Sequence, residues 1–142
     1  MNVFVFQSVP SRYDLREVIQ EGADATWYAT RYRNEMHVGD LVFFWMAGDE
    51  DIRGLYGWGR ITSPPYMKED WDSHGVDVTY HTKFSAPVLA TTLRKDSVLS
   101  SMLIFRAPQA TNFLLNSDET EHLIKHISEA RQPAPSIAGD RS

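Results

Sequence analysis

Four tryptophans stand far apart in the chain, and each sits in a different kind of sequence. Trp45 and Trp58 lie in apolar runs, where so large a ring ordinarily fills a core. Trp27 follows a Gly-Ala-Asp-Ala connection and opens a run of strand composition, and strand ends at a barrel mouth are where pockets form. Trp71 lies among Lys68, Glu69, Asp70, Asp72 and Ser73, so it either folds back as a lid or faces a ligand. Flat bases stack on such rings with little regard to sequence. Selectivity then requires polar groups on the base edge, and Ser8, Gln109, Thr111 and Asn112 could supply them. Arg31, Arg33, Arg60, Lys68, Arg94, Lys95 and Arg106 could meet phosphates. Between 53 and 112 the chain has seven Lys or Arg against five Asp or Glu, enough for one modest basic face.

Covalent chemistry is poorly served. The absence of cysteine excludes a thiolate nucleophile, a disulfide scaffold and Cys-ligated metals. Gly54, Gly57 and Gly59 fall inside a strand pattern, so they cannot seat a phosphate on a helix terminus. No nucleophile elbow or His-Glu-x-x-His motif is present. His122 and His126 are one helical turn apart but have no third ligand nearby, and they read as solvated helix surface. The expectation is therefore a binding protein with no catalytic residues, cofactor or metal.

A chain of 142 residues is close to one ordinary domain. No apolar run approaches the 18 residues of a membrane span, and Met1-Asn2-Val3-Phe4 lacks the basic start of a signal peptide. The expected compartment is cytoplasmic. A formal charge of -5 argues against coating duplex DNA through phosphate contacts, but not against gripping one base.

The elements that must hold these groups are short. Strands are expected at 3–6, 26–32, 41–47, 52–61 and 76–84, with 41–47 central because it is apolar on both faces. The glycines at 54, 57 and 59 point to tight barrel curvature or a ligand against the backbone. Helices are expected near 12–20, capped by Ser11 and ended by Gly22, and near 117–130, where Asn116 and Glu119 form a capping box. Residues 106–112 read as a polar loop, and the chain frays from Gln132. The sum is an α+β fold, a curved mixed sheet or partly closed barrel of five to six strands flanked by short helices.

The run Trp27-Tyr28-Ala29-Thr30-Arg31-Tyr32-Arg33-Asn34-Glu35-Met36-His37-Val38-Gly39-Asp40 passes into Leu41-Val42-Phe43-Phe44-Trp45. It is followed by Gly54-Leu55-Tyr56-Gly57-Trp58-Gly59-Arg60-Ile61-Thr62-Ser63-Pro64 and later by Phe105-Arg106-Ala107-Pro108-Gln109-Ala110-Thr111-Asn112-Phe113. Together these resemble the EVE domain of the PUA-like superfamily, which is similar to the YTH readers of methylated adenine. The resemblance implies a domain over 1–130 and a pocket at one end of a curved sheet, and the composition of 131–142 reads as a flexible tail. It implies binding of a modified base in DNA or RNA, without covalent chemistry, in an aromatic cage. The base would be lined by Ser8, Trp27, Tyr28, Trp71, Gln109, Thr111 and Asn112, with phosphates on Arg31, Arg33, Lys68 and Arg106. Many members have Lys-Thr-Glu-Pro after the first strand, where this chain has Gln7-Ser8-Val9-Pro10 and so a different polar lining. Many are also fused to nuclease or motor domains, which implies a partner protein of that kind. The alternatives are a small free planar ligand such as a nucleotide, or a nucleic-acid-processing enzyme.

Overall fold

Alternation of apolar residues sets the architecture. In β1 (Val3–Ser8) and β3 (Leu41–Met46) every residue is buried, because both faces of each strand meet a core. Successive side chains point to opposite faces, so Val3, Val5, Leu41, Phe43 and Trp45 join one cluster while Phe4, Phe6, Val42, Phe44 and Met46 join the other. The computed structural model describes residues 1–107 and 109–137.

The other strands are β2 (Asp24–Tyr28), β4 (Gly54–Ile61), β5 (Tyr66–Lys68), β6 (Ser73–Leu89) and β7 (Asn112–Leu115). They form one curled mixed sheet in the order β2-β6-β4-β3-β1-β7, with β5 paired to β6. β1 and β3 run parallel, and the remaining pairs are antiparallel. The central place expected for 41–47 is observed, and the fold class is the expected α+β curved sheet. The described residues form seven strands in place of five or six, because β5 and β7 are short and local sequence does not demand them.

β6 bends the sheet. It pairs with β4 over its C-terminal part and with β2 and β5 over its N-terminal part. It begins at Ser73, before the expected 76, and runs past 84 through Pro87 to Leu89, the continuation that the run from Phe84 to Leu89 suggests. The glycines of β4 permit this curl. A Cβ at Gly57 would lie 2.2 Å from the Thr82 carbonyl oxygen, and one at Gly59 would lie 2.1 Å from that of Thr79. The register slips beside both. The close neighbour is thus the backbone of β6 rather than a ligand.

Helices are few. α1 (Leu15–Val18) is much shorter than expected, because Asp14 caps it by accepting from the Arg16 amide, in place of Ser11. α2 spans Ala90–Leu93 and α3 spans Ser117–Glu129. α3 carries the expected capping box and buries Leu123 and Ile127 against the Val3–Trp45 cluster. After α3, Gln132 bonds with Ser85, Pro133 accepts a hydrogen bond from the Trp58 indole, and Ala134 and Ile137 pack against the core. The rest of the expected tail, 138–142, lies outside the described residues. Among the described residues, no helix is long and apolar enough to cross a membrane.

Candidate functional site

β1 runs two residues further than its apolar letters suggest, and that extension builds the site. Gln7 and Ser8 remain paired with Trp45 and Met46 of β3. By the two-residue period Ser8 follows Phe4 and Phe6 onto the face where Phe6 meets Trp27, with ring centroids 6.0 Å apart. Gln7 ties in the chain before β7. Its backbone amide donates to the Thr111 carbonyl and its Nε2 to the Ala110 carbonyl, each at 2.7 Å.

Between these parts lies a cavity of about 470 Å³, within the range of small-molecule sites. Ser8, Trp27, Tyr28, Trp71, Gln109 and Thr111 all line it, so six of the seven expected base-site residues come together. Gln7, Val9, Arg12, Tyr13, Thr26 and Ala110 complete the wall. A separate void of about 40 Å³ between Val5, Met102 and Phe113 is far too small for a base.

Trp27 is the floor. Its ring is 4% exposed and packs on Phe44 at 5.3 Å and edge-on to Tyr13 at 5.3 Å. Its Nε1 donates to the Tyr80 hydroxyl at 3.0 Å. Burial, reinforced by a hydrogen bond with Tyr13, pushes the Tyr80 phenol far above its usual range, so it stays neutral. Trp71 arrives from the other side, on a single 3₁₀ turn (Glu69–Trp71) between β5 and β6. It stacks on Tyr28 with centroids 4.5 Å apart, and Lys68 Nζ sits 4.9 Å from its ring centre. Tyr28 and Trp71 already touch, so a base does not slot between them; they act as one aromatic wall.

Ser8 is the polar group with most to offer. It is 8% exposed, lines the cavity, and its hydroxyl has no hydrogen-bond partner among the described residues. Buried hydroxyls are rarely left so, since the cost is about 1–3 kcal/mol. Arg12 is the one charged residue of the lining, exposed and without a carboxylate partner among the described residues.

Asn112 is placed otherwise than expected. It is fully buried, and its amide is spent on backbone. Nδ2 donates to the Tyr28 carbonyl at 2.9 Å, while Oδ1 accepts from the amides of Thr30 and Arg31 at 2.9 and 3.3 Å. It fastens the turn after β2, where Tyr32 adopts a left-handed conformation and ends the strand before the expected 32.

The four expected phosphate contacts also divide. Arg31 and Arg106 line an open groove of about 510 Å³ with Thr30, Ala107 and the same Gln109–Thr111 segment that walls the cavity. Arg33 turns back to the carbonyls of Ala29 and Thr30 and lines neither. Lys68 is paired with Asp70 at 3.0 Å and also lines neither. Pro108 lies outside the described residues.

The histidine pair on α3 is less solvated than expected. Both rings reach the Asp96 carboxylate, His122 Nδ1 at 2.8 Å and His126 Nε2 at 2.9 Å. These are hydrogen-bond distances, and no group of side chains suited to a metal occurs among the described residues.

Gln7, Arg12 and Tyr13 were not expected in the site. For Gln7 the signal was the continuing strand period. Arg12 and Tyr13 precede a helix that begins only at Leu15, and a reading that starts the helix at 12 turns Arg12 to solvent.

The chain matches the family model described as the EVE domain over residues 2–126. No curated protein matches it in sequence. Its fold is shared with a protein from Leishmania major, at TM-score 0.73 and 18% identity over 93% of this chain and 98% of that one. A protein from Agrobacterium tumefaciens gives TM-score 0.71 and 15% identity over 96% and 100%. Human THYN1, whose structure is in complex with DNA containing 5-methylcytosine, gives TM-score 0.70 and 17% identity over 94% and 100%.

Proposed function

This chain belongs to the EVE domain family, and from that premise we propose that it binds nucleic acid through a modified base held in the cavity over Trp27. The observation that carries the reading is the buried Ser8 hydroxyl, without a hydrogen-bond partner among the described residues, in a base-sized cavity walled by Trp27 and the Tyr28–Trp71 pair. An aromatic wall rewards any base by roughly 1–3 kcal/mol per stack. A buried methyl adds roughly 0.8 kcal/mol. Ser8 and the Gln109–Thr111 segment then address the polar edge. Similarity in fold to a protein crystallised with 5-methylcytosine DNA supports the choice of ligand class.

The site does no covalent chemistry on the base. Among the described residues its lining includes no His, Asp, Glu, Lys or Cys, the side chains that most often move a proton near neutral pH.

The test is a titration of short single strands, DNA and RNA, of one sequence with and without modified bases, at two salt concentrations. Preference for a modified strand is expected, with the free nucleoside retaining part of the affinity. Equal affinity for both strands, abolished at moderate salt, would refute a base-reading pocket. Turnover of the oligonucleotide would refute the binding reading in favour of an enzyme.

A further inference from the structure

The base cavity and the arginine groove share one wall. Gln109, Ala110 and Thr111 line both, and Gln7 holds that wall to β1 by two hydrogen bonds of 2.7 Å. Arg12 lies on the cavity side of the wall, and Arg31 and Arg106 lie on the groove side. All three side chains are exposed, and none has a carboxylate partner among the described residues. The Arg106 guanidinium is steadied by donating to the Ser101 carbonyl at 3.0 Å. Among the described residues no Asp or Glu lines either space, although the whole chain carries a formal charge of -5. Arg12 at the rim of the base slot and Arg31 and Arg106 across its wall match the charge pattern of one nucleotide within a strand, which has a phosphate at each end of its sugar.

We propose that the cavity takes an internal nucleotide of a strand, with one flanking phosphate on Arg12 and the next on Arg31 and Arg106 across the Gln109–Thr111 wall. This rests on the base-binding reading and adds a path for the backbone. The footprint is two phosphates wide. A free nucleoside fills only the slot, a nucleoside monophosphate engages one side, and a trinucleotide with the base in the middle engages both. Arg12 is therefore a specificity residue for nucleotide over nucleoside, a role distinct from reading the base.

The experiment compares four probes: 5-methyldeoxycytidine, its 5′- and 3′-monophosphates, and a trinucleotide with central 5-methylcytosine. Each is titrated into the wild-type chain and into Arg12→Ala, Arg31→Ala, Arg106→Gln and Ser8→Val. Affinity is expected to rise in two steps, from nucleoside to monophosphate to trinucleotide. Arg12→Ala should remove the advantage of one monophosphate only, by about three- to tenfold. Arg31→Ala and Arg106→Gln should remove the remaining step of the trinucleotide. Each lost phosphate contact should also flatten the slope of log K against log salt by about 0.7, which loss of folding alone would not do. Nucleoside and trinucleotide binding equally, with the arginine variants unchanged, would overturn the two-phosphate path and leave the base reading intact. Trinucleotide binding that falls in the arginine variants but ignores Ser8→Val would overturn the base reading and leave a cationic surface. Failure of all four probes to bind would overturn both.

Discussion

Ser8 and Trp27 share a cavity but should respond to substitution in opposite ways. The Ser8 hydroxyl has no partner among the described residues, so Ser8→Ala should leave stability unchanged or raise it by up to about 1 kcal/mol while weakening base binding. A thermal melt beside a titration separates the two effects, and a destabilised variant with normal binding would contradict the role given to Ser8. Trp27 is set into Phe6, Phe44 and Tyr13, and Trp27→Ala should cost about 3–5 kcal/mol, measured by urea unfolding. Trp27→Phe keeps a ring on the floor and gives up the bond to Tyr80, so it is the variant to use for binding. At this scale the aromatic residues were legible in the sequence, because a large ring in a polar loop or at a strand start stands out. Asn112 was not. An amide in a polar loop looks the same whether it faces a ligand or closes a turn, and here three backbone groups claim it.

Elements were legible where the sequence states its own boundary. Asn116 and Glu119 announce α3, and Asn116→Ala should cost about 1 kcal/mol, read as a lower melting temperature. β7 gave no such sign. It is four residues long, and what makes it a strand is β1, more than a hundred positions away. The glycines of β4 signalled crowding without saying what crowds them. Gly59→Ala would drive a Cβ into the Thr79 carbonyl, so it should destabilise by roughly 1–3 kcal/mol even though the backbone angles suit alanine. Asp96 joins α3 to the turn after α2. Hydrogen bonds from His122, then His126, then the amides of Leu99 and Val98 hold its carboxyl well below the usual carboxylate range, against the opposing effect of burial. A depressed folded-state value means this tie is complete above the unfolded value near 4 and is lost as pH falls through the folded one. Stability of the wild-type chain should drop more steeply below about pH 4 than that of Asp96→Asn, as followed by circular dichroism in an acid titration. Parallel curves would show that the tie contributes nothing.

For the whole molecule, an acidic chain whose cavity and neighbouring groove present Arg12, Arg31 and Arg106, with no carboxylate partner among the described residues, should approach nucleic acid from a single side. Unmodified duplex should bind weakly, with a log–log salt slope no steeper than about -2 to -4, and a much steeper slope would mean a broader contact surface than this one. The two clusters on opposite faces of β1 and β3 have a consequence for time rather than for energy. Neither strand has a wet face, so their amides should exchange with deuterium only when the entire domain opens. The backbone of the Tyr66–Trp71 segment pairs with the sheet only over the three residues of β5, and most of its residues are exposed, so its amides should exchange first. Gln7 hangs one wall of the cavity from the slowest clock in the protein, while Trp71 hangs the other from the fastest. How soon a base enters or leaves should thus be governed by the Trp71 side, and the shape it finds inside by the Gln7 side.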